Sequence, residues 1–181
     1  MADDKLSDYV LLYFPLLLVF TIDRLTKSLA VSTLSQVEPL PFWNGLFSLS
    51  LTYNRGIAFG LLSAHGDIVV LCISIILLIG LLSIHNIPRR YYLPFGLILG
   101  GAFGNVFDRF IYSQGVVDFI SVPHFSIFNV ADIAITVGII FLILSLFLSE
   151  TRSAVRHKQK KNKSQKSAVK SAAKKTARRR A

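Results

Sequence analysis

The sequence predicts a membrane all-α protein: four transmembrane helices with a small β-element, an extracytoplasmic hairpin or cradle. Of its 181 residues, 52% are hydrophobic and only 17% are charged, whereas soluble domains carry about 25% charged residues. The mean hydropathy is +0.56. Four apolar stretches are each long enough to cross a bilayer, which takes roughly 20 residues. These observations argue against an ordinary soluble protein.

The four spans are expected at about residues 9–31, 67–86, 91–108 and 130–149. They form one membrane domain over residues 1–150. We expect the first span to be retained, because acidic residues precede it and no small-residue cleavage site follows. The single cysteine excludes an internal disulfide and a cysteine-based metal cage.

A strongly basic tail follows the last span. Residues 151–181 contain thirteen Lys and Arg and no acidic residue, a composition that predicts disorder. Basic flanks face the cytoplasm, so the tail and the loop with Arg89 and Arg90 are placed inside. Both termini are then cytoplasmic, and the segments 32–66 and 108–129 lie outside. The tail suits anionic lipid, and we expect no specific nucleic acid partner.

The outer β-region is expected at about residues 40–60. Residues Phe47 to Tyr53 alternate between apolar and polar, as a half-buried strand does. The preceding Asn44-Gly45 pair favours a tight hairpin turn. Aromatic Phe42 and Trp43 suggest that the hairpin rests at the membrane interface.

Glycines recur at every fourth position in the third span, at Gly96, Gly100 and Gly104. Small residues on one helix face allow close helix packing in lipid. We interpret this stripe as a packing surface and not as a phosphate-binding loop.

Charged and amide side chains gather near the outer ends of the spans, where they mark function or tight pairing. Asp23 and Lys27 can pair at i,i+4 spacing, and Asp108 is expected to pair with Arg109. Asp118 and Asp132 have no basic neighbour in sequence. The outer-side polar residues are Asp23, Arg24, Lys27, Asn105, Asp108, Arg109, Asp118, Asn129 and Asp132.

Among these residues, two carboxylates offer the best catalytic apparatus. The histidines are isolated and no HExxH motif occurs, so no metal site is expected. A Ser–Lys dyad at Lys27 is conceivable, but the adjacent Ser28 points elsewhere on the helix. If Asp118 and Asp132 approach each other, one stays protonated while the other activates water. An aspartic hydrolase at the outer membrane face is therefore the leading hypothesis.

Two other classes remain open. Intramembrane acids also relay protons in carriers, so a small proton-coupled carrier is one alternative. A non-enzymatic membrane scaffold is the other. Four spans are few for a carrier, and the acids gather at one face instead of crossing the bilayer.

The sequence also resembles the bacterial lipoprotein signal peptidases (signal peptidase II, an aspartic membrane peptidase family). The resemblance covers roughly residues 10–149 and rests on five motifs in the same order. They are DRLTK at Asp23–Lys27, NRGIAFG at Asn54–Gly60, GNVFDR at Gly104–Arg109, GVVDF at Gly115–Phe119 and FNVAD at Phe128–Asp132.

The resemblance implies roles for particular residues. Asp118 and Asp132 match the family's catalytic aspartate pair. Asp23 and Lys27 match a helix-one motif for which structural support is expected. The motif positions that surround the dyad and its ligand are Asn54, Gly56, Asn105, Arg109, Asn129 and Ala131.

The resemblance also implies the reaction. The family cleaves prolipoproteins on the amino side of a diacylglyceryl-modified cysteine, with no cofactor and no metal. The expected partners are lipid-modified prolipoproteins and membrane lipid, the expected state is a monomer, and the expected location is the bacterial inner membrane. The active site would lie at the outer leaflet, with the β-region as a cradle for the substrate.

Overall fold

A computed structural model of the chain describes residues 2–36, 38–42, 44–55, 66–83, 86–123 and 125–149. A short 3₁₀ turn, Arg89–Tyr91, precedes the third helix. The elements in chain order are α1 (Ala2–Thr33), β1 (Leu40–Phe42), β2 (Phe47–Asn54), α2 (Gly66–Ser83), α3 (Tyr92–Ile111), β3 (Val116–Ser121) and α4 (Val130–Ser149).

The chain divides into two compact units, Met1–Leu142 and Ile143–Ala181. Within the second unit the structure describes residues 143–149, which are helical. Trp43, Gly56 and the basic tail lie outside the described residues.

Helices form where the four spans were predicted, but they differ in length and hydropathy, the two properties that a membrane span requires. In the described part of the chain, Tyr9–Thr33 of α1 and Val130–Ser149 of α4 are long and apolar enough to span a bilayer. Helix α3 has 20 residues but falls short in hydropathy, because it carries glycines together with Asn105, Asp108 and Arg109. The prediction of four spans therefore remains a prediction.

The glycine stripe of α3 is a packing surface. A Cβ built on Gly96 would lie 2.5 Å from the Leu12 carbonyl oxygen, and one on Gly100 would lie 2.6 Å from that of Leu16. A Cβ on Gly101 would overlap the Ala131 carbonyl oxygen of α4. Helix α3 thus approaches α1 on one face and α4 on another at distances that only glycine permits.

An apolar core holds the first three helices together. It consists of Leu12 of α1, Leu77 of α2, and Leu99 and Val106 of α3, which are between 2% and 7% exposed. Between helices in a membrane, such side chains stabilise the association by van der Waals packing and not by leaving water.

The predicted hairpin is present. Strands β1 and β2 pair antiparallel, with Leu40 opposite Leu49 and Phe42 opposite Phe47. Between the paired Phe42 and Phe47, Asn44 and Gly45 have left-handed φ values of +54° and +81°, and the Gly45 N–H donates to the Phe42 carbonyl oxygen. Asn and Gly adopt this left-handed conformation most readily.

The sheet has a third strand that the sequence analysis did not predict. Strand β3 pairs antiparallel with β2, with Thr52 opposite Asp118 and Asn54 opposite Val116, and the strand order is β1-β2-β3. The first four residues of β3 are buried in succession. A strand covered on both faces loses the alternating pattern by which strands are detected.

Replacement of Gly100 by alanine should destabilise the helix packing, because the new Cβ meets the Leu16 backbone. We expect a loss of about 1–3 kcal/mol, as for other overpacked sites, seen as a lower unfolding temperature in detergent. The matched control is Gly80→Ala, whose Cβ would meet only Leu99 Cδ2 at 3.8 Å. Equal unfolding temperatures for the two variants would contradict the close approach of α1 and α3.

Candidate active site

Four charged side chains form a buried cluster where α1 meets α3. Lys27 Nζ lies 2.9 Å from Asp23 Oδ2 and 2.8 Å from Asp108 Oδ2. Arg24 Nη2 lies 2.5 Å from Asp108 Oδ1 and 3.4 Å from Asp23 Oδ2. Two cations thus face two carboxylates, and the side chains of Asp23, Lys27 and Asp108 are 0% exposed. Buried charges persist only when they are paired and hydrogen-bonded in this way.

Lys27 uses all three of its hydrogen-bond donors within the protein. Besides the two carboxylates, its ammonium donates to Asn105 Oδ1 at 2.8 Å. An ammonium has three donors and no acceptor, so these contacts occupy it fully. This arrangement disfavours Lys27 as the base of a Ser–Lys dyad and confirms its predicted pairing with Asp23.

Asp108 has ion-pair partners that the sequence did not suggest. It forms salt bridges with Arg24 and Lys27 of α1, in addition to an electrostatic interaction with the expected partner, Arg109. Sequence spacing could not indicate the two α1 partners, because they lie on another helix. Asp108 Oδ2 also accepts the Val117 backbone N–H at 3.1 Å, which ties strand β3 to the end of α3.

Asp23 connects the cluster to α4. Its Oδ1 accepts the backbone N–H of Ala131 at 3.0 Å, one of the first-turn N–H groups of α4 that have no partner within the helix. Gly104 provides the room, because a Cβ there would overlap the Asp23 carboxylate. Ala131 itself is 0% exposed.

Asn129 and Asp132 form a reciprocal cap at the start of α4. Asn129 Oδ1 accepts the Asp132 N–H at 3.0 Å, and Asp132 Oδ2 accepts the Asn129 N–H at 3.2 Å. This is a capping box, with Asn and Asp in place of the usual Ser or Thr and Glu or Gln. The Asp132 carboxylate also accepts a hydrogen bond at Oδ1, from Asn105 Nδ2 at 2.8 Å.

Asp118 is held on strand β3 by two amides. Its Oδ1 accepts from Asn129 Nδ2 at 2.7 Å, and its Oδ2 accepts from Asn54 Nδ2 at 3.2 Å. Gly115 allows β3 to begin beside Asn54: its φ is +111°, and a Cβ there would overlap the Asn54 carbonyl oxygen. Asp118 is 3% exposed.

The side chain of Asn129 therefore bridges the two acids. Its Nδ2 donates to Asp118 while its Oδ1 receives the N–H of Asp132. Burial, followed by the negative charge of Asp132, raises the pKa of Asp118 to about 7. Two neighbouring carboxylates whose environments differ in this way can divide the roles of acid and base.

Arg109 lies beside the acid pair. Its Nη1 donates to the backbone carbonyl oxygen of Asn105 at 3.0 Å. Its half-buried guanidinium interacts electrostatically with Asp118, Asp132 and Asp108. A cation there can counter negative charge that develops at the acids.

The structure brings together nearly all the residues predicted for the site. Gly56 lies outside the described residues. Sequence analysis missed Val117, whose backbone N–H and carbonyl contact Asp108 and Asn129, since backbone contacts leave no residue-type signal. Among the described residues, no group of three or more His, Cys, Asp or Glu could hold a metal ion. The residues brought together are Asp23, Lys27, Asn54, Asn105, Arg109, Asp118, Asn129, Ala131 and Asp132.

A paired-carboxylate site beside apolar helices is typical of a membrane hydrolase, and comparison with known families agrees with this class. Residues 16–148 match the family described as Signal peptidase (SPase) II. The chain belongs to this family and is a peptidase.

Named relatives from two bacteria support the same family. The chain is 42% identical over 158 residues to the lipoprotein signal peptidase of Pelagibacter ubique, with 77% of this chain and 89% of that protein covered. It is 35% identical over 145 residues to the lipoprotein signal peptidase of Pseudomonas aeruginosa, with 74% and 85% covered.

Solved structures share the fold. A bacterial membrane enzyme determined by the in meso method at 2.3 Å resolution matches with a TM-score of 0.65 and 26% identity, covering 77% of this chain and 88% of that one. A second, at 1.9 Å, matches with a TM-score of 0.66 and 26% identity, covering 74% and 90%.

The pKa of Asp118 should move in opposite directions in two variants. Asn54→Ala removes a donor that stabilises the charged carboxylate, so the pKa should rise above about 7. Asp132→Asn removes the neighbouring negative charge, so the pKa should fall. Carboxyl ¹³C NMR titration of aspartate-labelled protein measures both, with Asp118→Asn assigning the signal. Shifts in the same direction would show that the Asn54 hydrogen bond and the Asp132 charge do not set this pKa.

Proposed function

We propose that the chain is a membrane-embedded aspartic endopeptidase that removes signal peptides from prolipoproteins. It cleaves on the amino side of the diacylglyceryl-modified cysteine, using water activated by Asp118 and Asp132. The observation that supports this proposal is the Asn129 bridge, whose side chain donates to the Asp118 carboxylate and accepts the backbone N–H of Asp132. The names of the relatives support the substrate class.

The two acids have different roles in the proposed reaction. Asp132 accepts hydrogen bonds from Asn105 and from the Asn129 backbone at the positive end of α4, and it acts as the base. It takes a proton from water, and the water oxygen bonds to the scissile carbonyl carbon. Asp118, with its raised pKa, gives its proton to the carbonyl oxygen.

The addition of water gives a tetrahedral intermediate, and its collapse completes the reaction. The carbon–nitrogen bond breaks, and the leaving amine takes the proton that Asp132 acquired. One hydroxyl group of the intermediate returns its proton to Asp118 as the carbonyl re-forms, which restores both acids to their starting states. The carboxylic acid product carries the water oxygen, so no covalent enzyme intermediate forms. Arg109 and Asn54, at the edge of the pair, are placed to hold the substrate backbone.

The β1–β2 hairpin serves as the substrate cradle at the membrane surface. Leu40, Phe42 and Leu46 are 52%, 60% and 61% exposed. Apolar side chains at the tip of a hairpin suit contact with the bilayer surface, where the lipidated cysteine of the substrate lies.

The proposal includes a membrane arrangement. All four helices span the inner membrane, both termini are cytoplasmic, and the active site faces the outer leaflet of a monomeric enzyme. Arg89 and Arg90, before α3, and the basic tail support this orientation.

Substitution of either acid by its amide should abolish cleavage. Asp118→Asn and Asp132→Asn are nearly isosteric, and each should lower turnover by about 10³-fold or more, because the pair acts as a unit. Turnover of a synthetic diacylglyceryl-modified precursor peptide in proteoliposomes measures this at matched protein levels. Glu38→Gln, which changes an exposed carboxylate, should cleave normally. Near-normal turnover by either dyad variant would rule out the aspartic mechanism.

The orientation can be tested with single cysteines in a Cys72→Ser background. Gln36→Cys, after α1, should react with a membrane-impermeant maleimide added to spheroplasts. Asn86→Cys, between α2 and α3, should react only after the membrane is opened; both positions are exposed. The reverse labelling pattern would contradict the proposed orientation.

A further inference from the structure

A chain of hydrogen bonds connects the buried charge cluster to one of the two acids. Lys27 Nζ donates to Asn105 Oδ1 at 2.8 Å, and Asn105 Nδ2 donates to Asp132 Oδ1 at 2.8 Å. Both bonds join elements that are distant in sequence, because Asn105 is 78 residues from Lys27 and 27 from Asp132.

Because residue 27 is a lysine, it fixes which atoms donate and which accept in these two hydrogen bonds. A side-chain amide can present either its oxygen or its nitrogen to a neighbour, but an ammonium only donates. Asn105 must therefore turn its oxygen toward Lys27 and its nitrogen toward Asp132. In the opposite orientation, the amide oxygen would face the Asp132 carboxylate and repel it.

Asn129 also contacts the Asn105 oxygen, but more weakly. Asn129 Nδ2 lies 3.1 Å from Asn105 Oδ1, 2.7 Å from Asp118 Oδ1 and 3.3 Å from the Val117 carbonyl oxygen. A side-chain amide has two hydrogens, and these three acceptors compete for them. The short bond from Lys27 is therefore the stronger constraint on Asn105.

We propose that Lys27 is a positioning residue for catalysis, which acts through the amide of Asn105 to orient a donor at Asp132. The inference rests on the proposed function, because it takes Asp132 as the group that activates water. The charges of Lys27 and Arg24 are balanced by those of Asp23 and Asp108, so Lys27 influences Asp132 mainly through the orientation of the Asn105 amide.

Two double variants, each of which removes one cation and one anion, distinguish a positioning role of Lys27 from a general effect on the packing of the charge cluster. Lys27→Met with Asp108→Asn removes one cation and one anion, and it abolishes the bond to Asn105. Arg24→Gln with Asp108→Asn also removes one charge of each sign, but it keeps Lys27. Both variants keep an oxygen at position 108 for the Val117 N–H.

The first double variant should lower kcat by about 100-fold relative to the second, the scale expected when a reacting group is slightly misplaced. KM for the lipidated precursor peptide should stay within about two-fold. The Arg24 double variant serves as the reference, because it loses the same two charges but keeps the bond from Lys27 to Asn105. Thermal unfolding in detergent verifies that both proteins are folded.

Asn105→Leu tests whether Lys27 acts through Asn105, and it leaves all four buried charges in place. It should reproduce the loss in kcat. When Asn105→Leu and Asp108→Asn are already present, the further substitution Lys27→Met should lower kcat only slightly. The hydrogen-bonded connection from Lys27 through Asn105 to Asp132 is already broken in that background. Independent, multiplicative losses would overturn the proposal.

The outcomes also separate this inference from the proposed function. If the unchanged enzyme fails to cleave the peptide, the proposed function fails. If it cleaves and the folded Lys27→Met double variant keeps its kcat, only the positioning role fails. Should that variant not fold, a normal kcat in Asn105→Leu overturns the positioning role by itself.

Discussion

The structure depends on four balanced charges between α1 and α3, of which three are fully buried and Arg24 is 18% exposed. Asp23, Arg24, Lys27 and Asp108 leave water together, at a cost that only mutual pairing and further hydrogen bonds can offset. Those further bonds organise the neighbouring elements. Asp23 caps α4 through Ala131, Asp108 anchors β3 through Val117, and Lys27 orients Asn105. One cluster thereby fixes the relative positions of the helix that carries Asp132 and the strand that carries Asp118.

The acids themselves accept hydrogen bonds from neutral amides. Asn54, Asn105 and Asn129 donate to the carboxylates, and an amide stabilises a carboxylate without neutralising its charge. Asp118 is more deeply buried than Asp132, so the shared proton is favoured on Asp118. A pKa raised to about 7 lets Asp118 keep a proton near neutral pH, as a general acid must.

Local patterns predicted part of this arrangement. The hairpin followed from alternation and from Asn44-Gly45, the packing face of α3 from its glycine spacing, and the Asp23–Lys27 pair from helical periodicity. Strand β3 was missed because burial on both faces removes alternation. The α1 partners of Asp108 were missed because they lie on another helix. The Asn129–Asp132 cap has a local signature, an Asn three residues before an acid, that could have been identified.

The pH dependence of kcat/KM for the lipidated precursor peptide tests the central claim most directly, since it reports the ionisation of the free enzyme. If Asp118 holds the proton that cleavage requires, kcat/KM should fall as the pH rises through about 7, where burial and the Asp132 charge place the pKa of Asp118. Asn54→Ala should move this fall to higher pH. A kcat/KM that stays level from about pH 6 to about pH 9 would contradict the one-proton aspartate pair.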